Sequence, residues 1–350
     1  MPVSIHDSPY FGLFNSALED VGVIVLGTRD RDARRLGFDV LHLHFPSHLV
    51  TQPNSFKAIF SAMSLSLFYI VTKLLKKRIV YTIHDVLPVQ LHREWLVWPF
   101  IRLVHRLCDG YVFLNASSRE EFYARYPDQQ AKPNITIPHG PFPVPAVSEA
   151  ERSQRRRLLV GEVDALLIGI FGNIKRYKGL EALKSLPSRL FSGRSVRVVV
   201  AGKIEPGYER EGNRILGGMP SRSLVRIDAK LSDRDLDEMI QAVDVVLLPY
   251  TKGGNSSAAM LVLSNKTRVL ASDLPMFLEL IRAVGSSWVS CYARQPERIA
   301  QSMQVALDRI DSESLSENDI CELASFLENS SFSRGAARMK AFYSTLVGCG

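Results

Sequence analysis

Cysteine is scarce in this chain. The four present, Cys108, Cys291, Cys321 and Cys349, are widely scattered and form no CxxC pair. That excludes a disulfide framework and a cysteine zinc site, and it reads as reduced thiols in a cytosolic protein. Histidine is absent from the whole second half: all eight, from His6 to His139, come before residue 140. The start, "MPVSIHDSPYFGLF", has no basic-then-apolar leader, so no signal peptide is expected. No apolar run reaches the roughly 20 residues of a membrane-spanning helix. The nearest is Ala58 to Thr72, "AIFSAMSLSLFYIVT", which contains three serines. Low-complexity segments and short repeats are lacking too.

What is present is ordinary in bulk: 46% hydrophobic residues and 23% charged ones, as in soluble globular proteins. At 350 residues, two domains are more natural than one core. The formal charge of +7 favours anionic partners, whether nucleic acid, acidic headgroups or phosphorylated substrates. Nucleic acid is disfavoured, because the basic residues sit at strand-end loops and not along one recognition helix.

Short β-branched runs alternate with amphipathic segments. "VGVIVLG", "DVLHLHF", "RIVYTIHD" and "DGYVFLN" read as strands in the first half. "ALLIGIFG", "VRVVVAG", "LVRIDA", "DVVLLPY" and "TRVLASD" read so in the second. Their apolar residues run continuously, the mark of parallel sheets covered on both faces. Helical spacing occupies 117–126 and 232–242, the latter opening on Ser232 with Asp235 in capping-box register. The proline-rich, then charged stretch "PHGPFPVPAVSEAERSQRRR" reads as a linker. The expectation is an α/β chain of two doubly wound, Rossmann-like domains facing across a cleft. It assigns 1–143 to the first domain, 144–160 to the linker and 161–330 to the second. Residues 331–350 form a C-terminal helix packing back on the first domain.

Two loops of the second half suit phosphate. "IFGNIKRYKGLEAL" is a strand, a turn at Gly172 and Asn173, and a basic cluster in which Lys175 and Lys178 stand three apart. Two ammonium groups at a strand end can neutralise a diphosphate leaving group without a metal. A merely solvated basic loop is the alternative. In "DVVLLPYTKGGNSSAAM" the strand stops at Tyr250, and Asn255, Ser256 and Ser257 open a helix. Its N-terminal N–H groups and hydroxyls favour an anion, although a plain N-cap looks the same. No acidic residue occurs from Val245 to Ser272.

In the first half, "HREWLVWPFIRLVHRLCDG" interleaves Trp95 and Trp98 with Arg102. It suits a headgroup or sugar platform, or a buried amphipathic helix with a solvated basic face. The run Ala58 to Thr72 poses a similar choice. A buried helix of an α/β layer is the first reading; a helix lying in a bilayer interface, held by Lys73, Lys76, Lys77 and Arg78, is the second.

Taken in order, "NSALEDVGV", "LHLHFP", "YTIHDVLP", "IPHG", "FGNIKRYKG" and "AVDVVLLPY…SSAAM…VLASD" resemble the glycosyltransferase B fold, the two-Rossmann-domain enzymes that use nucleotide sugars. The likeness spans nearly the whole chain. It is nearest in flavour to bacterial exopolysaccharide enzymes, including xanthan-type mannosyltransferases that act on lipid-linked acceptors. The resemblance implies a nucleotide sugar as substrate, with GDP-mannose the guess, and no cofactor or required metal. It implies a glycan or polyprenyl-linked oligosaccharide acceptor and a cytoplasmic enzyme, peripheral on the inner membrane. His84 would lie beside the donor sugar, Lys175 and Lys178 on the diphosphate, and Ser256 and Ser257 on the distal phosphate. Asp228 and Lys230 of "RIDAKL" would approach the ribose and base. Retaining relatives carry two glutamates where this chain has Gly253 and Leu261, which favours inversion. An inverting transfer needs a base from the first domain. Asp7 of "SIHDSPYFG" comes first, Asp85 second and His44 third. A sugar-nucleotide epimerase or hydrolase of the same fold, and a non-catalytic subunit, are the competing readings.

Overall fold

A computed structural model describes residues 9–27, 30–51, 54–86, 93–161, 164–220 and 223–348. The chain forms two compact units: Met1–Gly140 with Asn329–Gly350, and Pro141–Glu328.

The first unit carries α1 (Pro9–Asp20), α2 (Arg31–Arg34), β1 (Val40–Leu43), α3 (Ser55–Leu74), β2 (Arg78–Ile83), α4 (Glu94–Leu107), β3 (Gly110–Phe113), α5 (Ala116–Arg125) and β4 (Asn134–Thr136). All four strands are parallel, in the order β1-β2-β3-β4. Successive strand residues point to opposite faces, and in β2 and β3 both faces are largely buried, which is why those two read as apolar runs. Ile79, Tyr111 and Phe113 pack under α3, α4 and α5. Val80 and Val112 face the other way, against Phe14 and Leu18 of α1.

The second unit begins with α6 (Glu149–Val160) and continues through β5 (Ala165–Phe171), β6 (Ser195–Ala201), α7 (Glu209–Gly217), β7 (Leu224–Ile227), α8 (Asp233–Ala242), β8 (Val245–Leu248), α9 (Ser257–Ser264) and β9 (Arg268–Ser272). It ends with α10 (Pro275–Val284), β10 (Val289–Tyr292), α11 (Ile299–Ser312) and α12 (Glu317–Asn329). The last helix, α13 (Phe332–Gly348), returns to the first unit, where Ala336, Met339 and Phe342 pack with α1. The second sheet is wholly parallel, in the order β10-β9-β8-β5-β6-β7. The chain runs outward from β5 through β6 to β7, then restarts on the other side of β5 with β8. The order therefore reverses between β5 and β8.

Three local expectations are corrected. Residues 23–27 of "VGVIVLG" form no strand: α1 ends in a turn at Gly22, and the segment packs Val23 and Val25 loosely while Ile24 points into solvent. The charged half of the linker is α6. Ser148 and Glu151 close a capping box there, and Arg155 and Arg156 pair with Glu238 of α8 and with Asp244 before β8. Its charge is thus spent on docking a helix. Finally, α3 is no buried helix; along much of its length one apolar side is bare.

Candidate active site

In a doubly wound sheet, ligands bind beyond the C-terminal strand ends where the order reverses. In the second unit that point lies between β5 and β8, and the two loops there are stitched together. The Tyr177 carbonyl accepts from the Thr251 N–H at 2.8 Å and from its hydroxyl at 3.1 Å. Gly179 stands at φ +63, and a Cβ there would come within 2.0 Å of the Pro249 carbonyl oxygen. Gly202, atop β6, meets Gly172 as closely: a Cβ would lie 2.0 Å from the Gly172 carbonyl oxygen. Glycine is what lets three strand-end loops crowd into one patch.

Lys178 projects into this patch. Its Nζ lies 3.5 Å from the Phe171 carbonyl oxygen, and a Cβ on Gly172 would be 3.7 Å from it. No carboxylate pairs with it among the described residues. Burial and the neighbouring Lys175 ammonium push its pKa down to about 8. A half-buried cation with no carboxylate partner among the described residues is a natural candidate for holding an anion. Lys175 is partly neutralised, its Nζ 3.7 Å from Glu205. Arg176 is diverted altogether, held at 2.5 Å by Glu211 and lying over the Tyr208 ring. Asn173 is exposed at the loop tip. The segment after it forms two 3-10 turns, Arg176–Lys178 and Leu180–Ser185.

Across the reversal, the helix N-terminus is real but partly spent. Ser256 is the N-cap of α9, accepting the Ala259 N–H at 3.1 Å. Its hydroxyl is therefore structural. Ser257 is exposed at the open end and Asn255 is half-buried. Tyr250 is buried between Tyr177 and Phe277, a floor under the loops and not a ligand-facing group. Leu261, on α9, is partly buried against the core, and Gly253 has no side chain, so no carboxylate occupies either position. Asp228 and Lys230 follow β7, two strands from β5; both are exposed, and Asp228 is tied at 2.7 Å to Arg226.

Three histidines of the first unit meet at the C-terminal ends of β1 and β2. Residues 42 and 44 are two apart and share a face, so their rings stack at 4.4 Å. Parallel register sets Leu43 beside Tyr81, which brings His84 to His44: Nδ1 and Nε2 are 3.0 Å apart. Of such a pair, one ring donates and the other accepts, so at least one tautomer is fixed. His42 is held between the Tyr343 hydroxyl of α13 at 2.5 Å and the Thr82 hydroxyl at 2.7 Å. Burial holds all three neutral: His44 falls to about 4, and His42 and His84 fall well below the usual range, pushed further by their neighbours. Phe45 stacks on His84 at 4.3 Å, and Phe11 of α1 meets His44 edge-on. Sequence reasoning missed His42; the HxH alternation of a strand was the signal for it. Asp85 follows His84 directly, and its charge adds to the burial that raises the Tyr81 phenol. Asp7 lies outside the described residues. On α4, Trp95 is exposed, Arg102 is exposed, and Trp98 is half-buried beneath the Arg125 guanidinium at 5.2 Å.

No family model matches the chain. Over 268 residues it is 26% identical to the GDP-mannose:glycolipid 4-beta-D-mannosyltransferase of Xanthomonas campestris pv. campestris, covering 75% of this chain and 69% of that relative. In fold it is similar to Anabaena HepE solved with UDP and glucose, at a TM-score of 0.61 and 15% identity, covering 89% of this chain and 80% of that one. It is also similar to a sucrose-phosphate synthase from Thermosynechococcus elongatus, at a TM-score of 0.63 and 15% identity, covering 91% and 77%. The fold is that of the glycosyltransferase B enzymes, two parallel-sheet α/β units.

Proposed function

We propose that this chain is a glycosyltransferase that moves a sugar from a nucleotide diphosphate to a lipid-linked glycan acceptor, with GDP-mannose as donor and inversion at the anomeric carbon. The observation that carries the reading is Lys178, a cation with no carboxylate partner among the described residues, at the point where the sheet order reverses. Nucleotide-sugar transfer expels a diphosphate, and a cation already desolvated there stabilises it most when its charge develops. In this reading Lys178 and Lys175 do the work that a metal does elsewhere, with the N–H groups at the start of α9 on the distal phosphate. Asp228 and Lys230 are proposed for the ribose and base. The guess of GDP and mannose rests on the Xanthomonas relative, whose name gives that donor and a glycolipid acceptor. The β-linkage in that name is what inversion gives from an α-linked sugar nucleotide.

The acceptor hydroxyl attacks C1 of the sugar, the bond from C1 to the phosphate oxygen breaks, and the hydroxyl proton passes to a base. The histidine cluster is a weak base in the ligand-free protein, His44 being near 4. A carboxylate suits the task better, with His44 and His84 orienting the sugar and acceptor. Asp7 is our first choice: it lies two residues before α1, whose Tyr10 and Phe11 pack against His84 and His44. Asp7→Asn should lower kcat by about 10²–10⁴ with donor affinity unchanged. If Asp85→Asn does so instead, the base is Asp85.

The first measurement is a thermal-shift panel of GDP, UDP, ADP and dTDP. GDP should raise Tm most, since a ligand that binds only the native state stabilises it by mass action. No shift with any diphosphate would count against catalysis and for a subunit that has lost it. Release of free mannose or an epimer without acceptor would favour the hydrolase or epimerase. We place the reaction at the cytoplasmic face of a membrane, where a lipid-linked acceptor presents its glycan.

A further inference from the structure

Helix α3 is apolar on two opposite sides, and only one is covered. At about 100° per residue, Ala58, Ala62, Tyr69 and Thr72 fall on one side. All four are buried, in the layer that α3 shares with α4 and β2. Phe56, Ile59, Phe60, Met63, Leu67, Ile70 and Leu74 fall within about 60° of one another's mean on the other side. Phe56 is 80% exposed, Phe60 65%, Met63 68%, Leu67 64% and Leu74 75%. Isolated exposed apolar residues are commonplace, but a continuous row along about 30 Å of helix marks an interaction surface.

Charge selects the occupant. From Asn54 to Arg78 there is no acidic residue, and there are five basic ones: Lys57 near the start and Lys73, Lys76, Lys77 and Arg78 at the end. Lys73 and Arg78 pair with Asp109, and Lys77 lies 4.0 Å from Asp39, while Lys57 and Lys76 are exposed. On α4, beside it, Arg102 and Arg106 are exposed as well. Trp95, 65% exposed, stands at the end of α4 that meets the start of α3, where Arg93 hydrogen-bonds Ser55 at 3.1 Å. A second copy of this chain would bring basic helix ends opposite basic helix ends in either orientation. An anionic lipid surface has the complementary charge, and an exposed tryptophan suits its headgroup level.

α3 extends past the 58–72 run to 20 residues, longer than the sequence reading allowed, so by length and composition it could cross a membrane. Its covered side is part of the first unit's core, however, so it lies along a surface and not through one. We infer that the exposed face of α3 seats the first unit in an anionic bilayer, helix axis in the plane, with Trp95 and the flanking Lys and Arg residues at the headgroups. This deepens the lipid-linked acceptor reading, but it rests on the surface alone.

The test is flotation of the full chain with phosphatidylglycerol–phosphatidylethanolamine vesicles and with pure phosphatidylcholine. Binding to the anionic vesicles is expected, at least tenfold weaker to phosphatidylcholine and weakened by high salt. Phe60→Glu with Leu67→Glu should reduce it at least tenfold while leaving the GDP thermal shift unchanged, since both residues are exposed and lie outside the second unit. A Lys76→Glu/Arg102→Glu pair should remove most of the salt-sensitive part. Wild-type flotation by the Phe60/Leu67 variant would overturn the inference. So would a chain that ignores vesicles and forms a dimer which that variant disperses, because the face would then hold a second copy. A failed flotation with an intact GDP shift sinks this surface and spares the transferase; the reverse pattern sinks the transferase and spares the surface.

Discussion

Replacing Lys178 with methionine should stabilise the ligand-free protein and nearly abolish transfer. Methionine keeps much of the length and removes the charge. In the native state the ammonium is disfavoured by burial and by Lys175, so its pKa drops from the ordinary 10.5 to about 8. A lysine with a lower pKa folded than unfolded destabilises the fold wherever it is charged in both states, which is below about pH 8. That cost is relieved as pH rises from about 8 toward 10.5. Allowing for the side chain's partial contact with solvent, the cost at neutral pH is on the order of 1–3 kcal/mol. Lys178→Met should therefore raise Tm by several degrees at pH 7, and the gain should shrink above pH 8. At the same time kcat/KM should fall by about 10²–10³, the usual toll for losing one preorganised group that stabilises developing negative charge. A variant that gains stability and loses function identifies a residue kept for binding.

The same shift gives a pH signature. If Lys178 holds the diphosphate as proposed, binding needs its ammonium form, so wild-type GDP affinity should hold below pH 8 and fall toward tenfold per pH unit above it. Lys178→Arg, whose guanidinium stays charged, should bind more weakly at pH 7 yet show no such fall between pH 8 and 9. Isothermal titration across that range separates the two. An unchanged pH profile in the arginine variant would show that another group sets it.

The sequence made some of this arrangement visible and hid the rest for definable reasons. Buried parallel strands such as β5 and β6 announce themselves, because alternate residues Leu166, Ile168 and Ile170 face one layer while Leu167 faces the other. The short strands β4 and β10, "NIT" and "VSCY", escape, since most of their positions are polar or weakly apolar. The basic loop and the helix start at Ser257 were legible as neighbours of strand ends. The cap role of Ser256 is a local contact with Ala259, and the sequence left it open beside the anion reading; that Arg176 is turned aside by Glu211 depends on a contact between distant segments, which no local pattern encodes. The pairing of His44 with His84 likewise needed the register of β1 on β2. For α3 the obstacle was different: a helix apolar on two sides does not reveal which side the fold will cover.

The joint between the two phosphate loops can be tested without touching a charge. Gly179→Ala should lower Tm by several degrees and weaken GDP binding at least tenfold. A non-glycine residue in the left-handed region costs about 1–2 kcal/mol by itself. At Gly179 the added methyl also meets the Pro249 carbonyl oxygen at 2.0 Å, and backbone on both sides must move to relieve it. Relief can come only by parting the loop after β5 from the loop after β8, the two elements proposed to hold the diphosphate from opposite sides. Gly193→Ala is the control. Its φ is +85, but no atom lies within 4 Å of the added methyl, so it carries the backbone cost without the clash. It should lower Tm by a smaller amount and leave GDP affinity unchanged. Were Gly179→Ala to bind GDP as well as Gly193→Ala does, the close approach at Pro249 would be a packing detail, and the diphosphate would have to sit elsewhere on the sheet edge.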